Sequence, residues 1–251
     1  MLILLPPSET KRAGGTGRSL SLDELRFPEL TDARRRLTDN VVTLAADRDA
    51  TIVALKLGPK QHAEVDVNRQ LWTSPTMPAL DRYTGVLYDA LDAASLDAAS
   101  RDFAAQHVVV HAALFGPVGG LDPIPAYRLS HDSRVPGLVM KRHWNTAVAD
   151  AIAGEDGLLL DLRSEAYVAL GPAPARPNSV YVRVLTDGPN GSRRALNHFN
   201  KKAKGEFTRA ILQSKVAFAD LDELCEWAPA AGIRLERLSP ESGAHEIALI
   251  V

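Results

Sequence analysis

The chain alternates short, fully apolar runs with longer stretches of helical periodicity. Residues 2–5 (LILL) are all apolar and are followed by two prolines, which is typical of a short buried strand. The β-branched run at 108–110 and the LLLDL segment at 158–162 have the same character. We expect these strands to lie in one central sheet, together with the apolar C-terminal segment EIALIV.

Helical periodicity covers most of the remaining chain. The first predicted helical stretch spans 21–46 and is split by Pro28, so that its second piece covers 31–45. The other predicted helices span 49–56, 60–71, 86–94, 97–106, 141–153, 164–170, 198–212 and 220–227. Ser21 and Glu24 form a predicted capping box, and Asp97 is a predicted N-cap. Ser164 or Asp161 is expected to cap the helix at 164–170.

Turn signals complete the prediction of the fold. Asn190 and Gly191 predict a hairpin turn between 179–185 and 193–198, and IRLERL with EIALIV predicts a second hairpin. Helices and strands are mixed without regular alternation. The sequence therefore predicts an α+β fold, in which residues 1–251 form a single compact domain with a central mixed sheet surrounded by helices.

The composition is that of an ordinary globular protein with nearly balanced charge. Apolar residues make up 45% and charged residues 24%, and 29 Lys and Arg against 31 Asp and Glu give a formal net charge of −2. This excludes a globally basic nucleic-acid coat but leaves a local basic cleft open. With one cysteine, Cys225, and no secretory signal or membrane-spanning run, we expect a cytoplasmic protein that does not contact a membrane. Cys225 is read as a small buried residue rather than a redox group.

The segment HFNKKAKGEFTRAIL, residues 198–212, concentrates positive charge on one predicted helix. Its cations are Lys201, Lys202, Lys204 and Arg209. Only Glu206 offers a local countercharge. If the helix faces a cleft, the cations would attract phosphate or carboxylate; if it faces solvent, they form a solvated surface.

The periodicity of this helix divides it into three stripes. An apolar stripe that requires a core comprises Phe199, Ala203, Phe207 and Ile211. The second stripe comprises Lys201, Lys204 and Thr208, and the third Lys202, Gly205 and Arg209. Glycine inside a helix costs about 1 kcal/mol relative to alanine, so Gly205 indicates a close approach by another backbone or by a ligand.

Two further segments carry candidate chemistry. The loop predicted at 114–129 contains a glycine-rich turn that includes Gly116. This turn either presents backbone N–H groups to a phosphate, or its glycines are needed only for the conformation of a tight turn. Polar side chains after the strand at 158–162 either hold a ligand or form a helix cap with a surface carboxylate. The candidate catalytic side chains are Asp161, Glu165, Tyr127 and Lys202. The seven histidines lack ligand spacing, and no metal or cofactor is expected.

Five segments, in order, resemble the YaaA family of peroxide-stress proteins. They are MLILLPPSETK, RYTGVLYDAL, FAAQHVVVHAALFGPVGGLDPIPAYRL, LLLDLRSEAYVAL and NHFNKKAKGEFTRAIL. The resemblance covers nearly the whole chain. It implies a cytoplasmic, single-domain protein with a YaaA-type fold, a positively charged cleft and a helix-hairpin-helix-like element linked to DNA binding. It also implies protection against hydrogen peroxide and iron-dependent DNA damage, with no particular enzymatic reaction.

The family motifs fall on specific residues of this chain. They include Ser8 and Lys11 in the N-terminal loop, Tyr83 and Gly85 in Y-T-G, Gly116, Leu121, Asp122, Tyr127 and Arg128 in the glycine turn and P-Y-R-L, Ser164, Glu165 and Tyr167, and Lys201, Lys202, Lys204 and Gly205. The loop reads PPSETK where many relatives read S-P-A-K-T, and Pro117 interrupts the glycine turn. The first departure weakens the assignment of a family role to Lys11. The second weakens the prediction of a standard DNA-binding hairpin.

The sequence leaves two functions open. In the first, a monomeric stress protein binds DNA phosphates without sequence preference through Lys201, Lys202, Lys204, Arg209, Arg128, Gly116, Ser8, Lys11 and Tyr83. In the second, an enzyme acts on a small anionic substrate (nucleotide, phosphate or carboxylate) in the same cleft. A large open groove favours DNA, and an enclosed pocket favours the small substrate. A pure interaction scaffold explains neither the lysine-rich helix nor the glycine turn.

Overall fold

The secondary structure interleaves strands and helices along the chain. The computed structural model describes residues 1–188, 193–195, 199–238 and 245–251. The strands are β1 (Leu2–Leu5), β2 (Met77–Pro78), β3 (Val108–Ala112), β4 (Gly116–Gly119), β5 (Pro123–Ile124), β6 (Leu159–Asp161), β7 (Ser179–Asp187), β8 (Arg193–Ala195), β9 (Arg234–Leu238) and β10 (His245–Ile250). The α-helices are α1 (Thr31–Ala46), α2 (Arg48–Ala54), α3 (Glu64–Arg69), α4 (Ala79–Arg82), α5 (Val86–Leu91), α6 (Ala98–His107), α7 (Met140–Ala153), α8 (Glu165–Val168), α9 (Phe199–Ser214) and α10 (Leu221–Trp227).

Within the described residues, eight strands form one mixed sheet. Its order is β4-β3-β1-β6-β7-β10-β9, with β8 paired to β7. The four pairings among the middle strands, β3-β1, β1-β6, β6-β7 and β7-β10, are parallel. Antiparallel pairs lie at both edges, β3-β4 and β10-β9. Helices flank this mostly parallel sheet, so the predicted fold class, a single compact domain with a central mixed sheet, is confirmed.

The central strands are buried on both faces and are mostly apolar, with His111 in β3 and Asp161 in β6 as exceptions. All four residues of β1 are buried, and β3 and β6 are buried along their whole lengths. A strand covered by helices on both sides has no solvent face, so its sequence is a continuous apolar run rather than an alternation. The first and last strands, β1 and β10, both lie in this sheet, as predicted.

The chain order of the strands leaves a crevice beside β1. From β1 the chain goes first to β3 on one side and then crosses to β6 on the other side. In open parallel sheets, such a reversal of direction separates the connecting segments at the carboxyl ends of the strands, where ligands commonly bind. The segments that follow β1 and β6 therefore face each other across this edge.

Two predicted helix caps are absent. The helical piece expected after Pro28 is confirmed as α1, which begins at Thr31, whereas in the piece expected from residue 21 only residues 22–24 form a short 3₁₀ turn. Ser21 makes no side-chain capping bond there, so the predicted capping box is absent. Ser164 occupies the N-cap position of α8 but also makes no capping bond. The Asp97 cap is confirmed, since its carboxylate accepts a 2.7 Å hydrogen bond from the backbone N–H of Ser100.

The glycine-rich segment after β3 is a strand rather than a loop. Residues 116–119 form β4, which pairs antiparallel with β3 and is fully buried. Glycine and proline are depleted in strands, so the sequence disfavoured this assignment. The predicted hairpins are confirmed where the structure describes them, as the antiparallel pairs β7-β8 and β9-β10. The turn predicted at Asn190 and Gly191 lies outside the described residues.

One hydrophobic core joins the sheet to the helices. It contains the apolar side chains of β1, β3, β6 and β7 and the inward faces of α1, α5, α7 and α9. The apolar stripe predicted for α9 belongs to it, since Ala203, Phe207 and Ile211 are buried. In the part of the chain that the structure describes, no helix combines the length and apolar character needed to cross a membrane.

Candidate functional site

A cleft of about 900 Å³ opens at the carboxyl ends of β1 and β6. Its walls come from the segment after β1, the segment after β6, the start of α5, the strand β7 and the first turns of α9. The polar and charged side chains that line it include Ser8, Glu9, Thr10, Thr84, His131, Ser164, Glu165, Tyr167, Tyr181, Arg183, Lys201 and Lys204. Three motifs that are distant in sequence, the N-terminal loop, the segment after β6 and the lysine-rich helix, therefore meet here.

Lys204 brings a desolvated ammonium group to this cleft. The residue is only 5% exposed, and its Nζ lies 3.5 Å from the backbone oxygen of Arg163. Burial lowers the pKa of Lys204 to about 8, with nearby Asp161 opposing and Arg183 adding to this shift. Among the described residues no carboxylate lies within ion-pair distance of this ammonium, so a ligand anion is a favourable partner for it.

The acceptor of Lys204 is held by a buried ion pair. Arg163 and Asp161 are both buried, and their closest contact, Nη2 to Oδ2, is 2.6 Å. Arg163 also donates to Nδ1 of His111 at 2.8 Å and to the oxygen of Gly171 at 2.8 Å. Burial and the adjacent guanidinium lower the pKa of His111 well below its usual value. Asp161 is thus engaged in structure and is poorly placed to act as a free acid or base.

Lys11 supports the cleft from behind rather than lining it. Its Nζ donates to the backbone oxygens of Ser8 at 3.0 Å and Glu9 at 3.3 Å. The same ammonium lies 4.1 Å from the ring centroid of Tyr127. Burial, and secondarily the charge of Arg128, lower the pKa of Lys11 to about 7. The predicted N-terminal lysine therefore fixes the loop that presents Ser8 and Glu9.

Tyr83 and Tyr127 also lie behind the cleft. Their hydroxyls share a 2.8 Å hydrogen bond, and both side chains are buried. Desolvation raises the pKa of each phenol well above its usual value. The hydroxyl of Tyr88 donates to the oxygen of Pro6 at 2.7 Å. These tyrosines anchor the start of the N-terminal loop, and the phenols of Tyr83 and Tyr127 stay protonated at neutral pH.

Three hydroxyl groups form a cluster on the cleft wall. The Oγ1 of Thr10 lies 3.3 Å from Oγ of Ser8 and accepts from Oγ1 of Thr84 at 3.0 Å. Gly85 adjoins them with a φ of 98°, and a Cβ there would lie 3.3 Å from the Ser8 hydroxyl. The glycine of the Y-T-G motif thus adopts a positive φ without steric cost, and its lack of a side chain leaves room for the hydroxyls.

The charges that line the cleft are nearly balanced. Of its described lining, the cationic side chains are Lys201, Lys204 and Arg183, and the carboxylates are Glu9 and Glu165. Arg183 Nη1 lies 3.5 Å from Glu165, and Arg183 Nε lies 2.6 Å from Glu246. Glu165 is largely exposed, with 79% of its side chain accessible. It is the candidate acid or base that remains open to a ligand.

Arg128 borders the cleft through Glu9. Its guanidinium lies 3.1 Å from the Glu9 carboxylate, and its backbone is bonded to the side chain of Asn68. Arg128 itself is 8% exposed. It therefore restrains a carboxylate of the lining rather than offering an open anion contact.

The lysine-rich helix divides its predicted cations between different surroundings. Lys201 is exposed and lines the cleft, whereas Lys202 is exposed outside it and lies 3.1 Å from Glu206. A Cβ on Gly205 would lie 2.2 Å from the oxygen of Leu87. The close approach predicted at Gly205 is thus made by the backbone of α5.

Arg209 and Gly116 lie away from the cleft lining. The guanidinium of Arg209 donates to the backbone oxygens of Leu91 and Asp92, at 2.8 and 2.9 Å, where α5 ends. Gly116 lies in buried β4 with a φ of 63°, and a Cβ there would lie 3.1 Å from the ring of Trp144. Both residues serve packing in this structure.

Sequence reasoning missed several residues of the site. The sequence carries no local signal that Arg163 is a buried arginine paired with Asp161. Tyr181 and Arg183 also line the cleft. The signal that could have found them is strand alternation, which places residues two apart on one face. Arg183 lies 5.3 Å from the Tyr181 ring centroid.

Two further features concern possible metal ligands and the cysteine. Among the described residues, no group of three or more His, Cys, Asp and Glu side chains is arranged to hold a metal ion. Cys225 is partly buried, and burial raises the pKa of its thiol. A raised pKa disfavours the reactive thiolate.

The fold and the cleft define a mixed α/β protein with a polar site at the carboxyl edge of a central, mostly parallel sheet. The model of the peroxide stress protein YaaA family matches residues 1–235, and the chain belongs to this family. A UPF0246 protein of Corynebacterium glutamicum strain R is 40% identical over 241 residues, which are 94% of this chain and 95% of the relative. One of Streptomyces coelicolor is 40% identical over 259 residues, covering 100% of this chain and 98% of the relative. One of Corynebacterium efficiens is 43% identical over 241 residues, 94% and 95% of the two chains. The family predicted from the five segments is confirmed.

Proposed function

We propose that this protein serves the peroxide stress response in the cytoplasm as an enzyme that binds a small phosphate- or carboxylate-bearing substrate in the cleft. The observation that carries the proposal is the ammonium of Lys204, buried at the cleft without a carboxylate partner in the described chain. An unpaired buried charge is unfavourable, and a bound anion relieves this cost.

The dimensions and charge of the cleft favour a small ligand. Its volume of about 900 Å³ lies within the range of about 300–1,000 Å³ that is usual for small-molecule sites. Non-specific DNA binding depends on neutralising several phosphates at once. The lining instead offers three cations beside two carboxylates, together with hydroxyls and tyrosines.

The proposed division of roles follows from the contacts. Lys204 and Lys201 bind the anionic group, and the hydroxyls of Ser8 and Thr10 donate hydrogen bonds to it. Glu165 is the proposed acid or base, because it lines the cleft and its carboxylate is accessible. Lys202 has no proposed role, since it lies outside the lining.

Calorimetric titration with inorganic phosphate and with AMP tests the proposal. Lys204→Met should weaken binding by about tenfold or more, because a hydrogen bond to a charged group contributes roughly 1.5–3 kcal/mol. Lys202→Met is the matched control on the same helix and should bind like the wild type. Lys204→Arg should retain part of the affinity because it keeps the charge. Equal affinities for Lys204→Met and Lys202→Met, or no binding by the wild type, would refute the site.

DNA binding is the second candidate, favoured by one observation. Lys201 and Lys202 are adjacent and exposed near the beginning of α9, with Lys201 at the cleft. If this surface binds DNA phosphates, a fluorescence anisotropy titration will show affinity that falls steeply with salt and falls further in a Lys201→Gln/Lys202→Gln variant. Salt-independent affinity, or the same affinity in the variant, would reject DNA binding by this surface.

A further inference from the structure

A second concavity of about 700 Å³ adjoins the cleft. It lies between the segment that joins α8 to β7 and the strands β7 and β10. Three prolines, Pro172, Pro174 and Pro177, form one side of it, together with Ala173 and Ala175. We call this concavity the proline hollow. Its accessible wall is more apolar than that of the cleft, although Lys141, Arg176 and Glu246 also line it.

The proline hollow is continuous with the cleft. Three residues line both concavities: Glu165, Tyr181 and Arg183. The divider between them is the ion pair of Glu165 and Arg183, with 3.5 Å between Oε1 and Nη1. Both side chains are substantially exposed, and exposed ion pairs contribute little free energy. A ligand that crosses this pair therefore displaces a weak contact.

The walls of the proline hollow are already in place. Proline has a fixed φ, so a wall built of Pro172, Pro174 and Pro177 loses little conformational entropy when a ligand binds. The hydroxyl of Tyr181 donates to the backbone oxygen of Arg163 at 3.1 Å, which fixes the orientation of its ring. Lys204 Nζ lies 5.7 Å from the centroid of that ring. The aromatic wall thus adjoins the buried ammonium.

We infer that the cleft and the proline hollow form one elongated site for a small molecule with an anionic head and a flat apolar body. The head lies at Lys204 and Lys201, and the body lies against Tyr181 and the prolines. This inference rests on the proposed function and specifies its substrate class. Inorganic anions alone fill only one part of the site.

A series of ligands with one head and different bodies tests the inference. The probes are inorganic phosphate, phenyl phosphate and 1-naphthyl phosphate, titrated calorimetrically. Apolar surface buried in the hollow should make 1-naphthyl phosphate bind at least about tenfold more tightly than inorganic phosphate, with phenyl phosphate between them.

A variant that fills the proline hollow tests whether the tighter binding of the aryl phosphates arises there. Ala175 lines the hollow and is exposed, so Ala175→Trp should fold normally, which thermal denaturation checks. It should reduce the affinity for 1-naphthyl phosphate to that for inorganic phosphate and leave phosphate binding unchanged. Ala153→Trp is the control, because Ala153 is exposed at the end of α7 and lines neither concavity. Ala173→Trp provides a second variant of the same wall.

The outcomes separate this inference from the proposed function. If the wild type binds none of the phosphates, the anion site itself is wrong. If inorganic phosphate binds but the aryl phosphates bind no more tightly, the elongated site is rejected and the anion site stands. An aryl advantage that survives both Ala175→Trp and Ala173→Trp also rejects the hollow as the location of the body.

Discussion

At the scale of single residues, the main feature is the removal of two ammonium groups from water. Burial lowers the pKa of Lys204 to about 8 and that of Lys11 to about 7. In the unfolded chain a lysine has a pKa near about 10.4. At pH values between the pKa of the folded state and that of the unfolded state, the unfolded state binds more protons than the native state. The stability of the protein therefore rises with pH across that interval.

Lys11 allows this dependence to be measured. We expect the free energy of unfolding of the wild type, relative to Lys11→Met, to be flat below about pH 7 and to rise above it by at most about 1.4 kcal/mol per pH unit. Chemical denaturation at several pH values checks this, and the subtraction removes groups that titrate in both proteins. A difference that does not vary with pH would show that Lys11 keeps its ordinary pKa in the folded protein.

The burial of these lysines is also where sequence reasoning reached its limit. Periodicity placed Lys204 on one stripe with Thr208, and Thr208 is fully buried. The sequence of the helix does not indicate that Lys204 faces Tyr181 and the backbone oxygen of Arg163, because those groups come from distant segments. A stripe of lysines and a threonine is equally typical of a solvated surface. Only the tertiary structure separates the buried Lys204 from the exposed Lys202.

At the scale of elements, the packing of α5 against α9 determines where the lysines lie. The sequence predicted the apolar stripe of α9 and the close approach at Gly205, because both follow from helical periodicity and from the cost of glycine in a helix. The strand β4 was not predicted. Its glycines and proline disfavour a strand, and its pairing with β3 is a tertiary interaction that local propensity does not encode.

Replacing the glycine of α9 tests this packing. In Gly205→Ala the new Cβ would lie 2.2 Å from the oxygen of Leu87 and 2.9 Å from the Cβ of Ala90, so α5 and α9 must separate. We expect a loss of roughly 1–3 kcal/mol of stability from overpacking, despite a helix-propensity gain of about 1 kcal/mol. Denaturant unfolding measures it. Gly154→Ala is the control, since the nearest atom to its Cβ would be 3.6 Å away; equal stabilities would contradict the close contact.

At the scale of the whole molecule, one buried guanidinium joins distant parts of the fold. Arg163 contacts Asp161 of β6, His111 of β3 and the oxygen of Gly171. Its backbone oxygen accepts from Tyr181 of β7. Three parallel strands therefore meet at this residue, directly behind the cleft. The sequence predicted a polar cluster after β6, but it did not predict that the cluster is partly a structural ion pair.

Substitution of Arg163 should therefore affect stability and the cleft together. Arg163→Met leaves the Asp161 carboxylate buried without its partner, which should cost about 3–5 kcal/mol in the free energy of unfolding. The double variant Asp161→Leu/Arg163→Met removes the orphaned charge and should recover a substantial part of that loss. Arg142→Met, an exposed arginine on α7, should change stability by less than about 0.5 kcal/mol.

Anion binding provides a second measurement on the same Arg163 variants. The carbonyl of Arg163 is the acceptor 3.5 Å from Lys204 Nζ, and it also orients the Tyr181 hydroxyl. The Asp161→Leu/Arg163→Met protein should therefore regain stability without regaining full affinity for AMP, because the turn that carries this carbonyl is no longer fixed by the ion pair. If affinity returns together with stability, Arg163 supports only the fold. If Arg163→Met is as stable as Arg142→Met, the buried pair does not connect the strands as its contacts indicate.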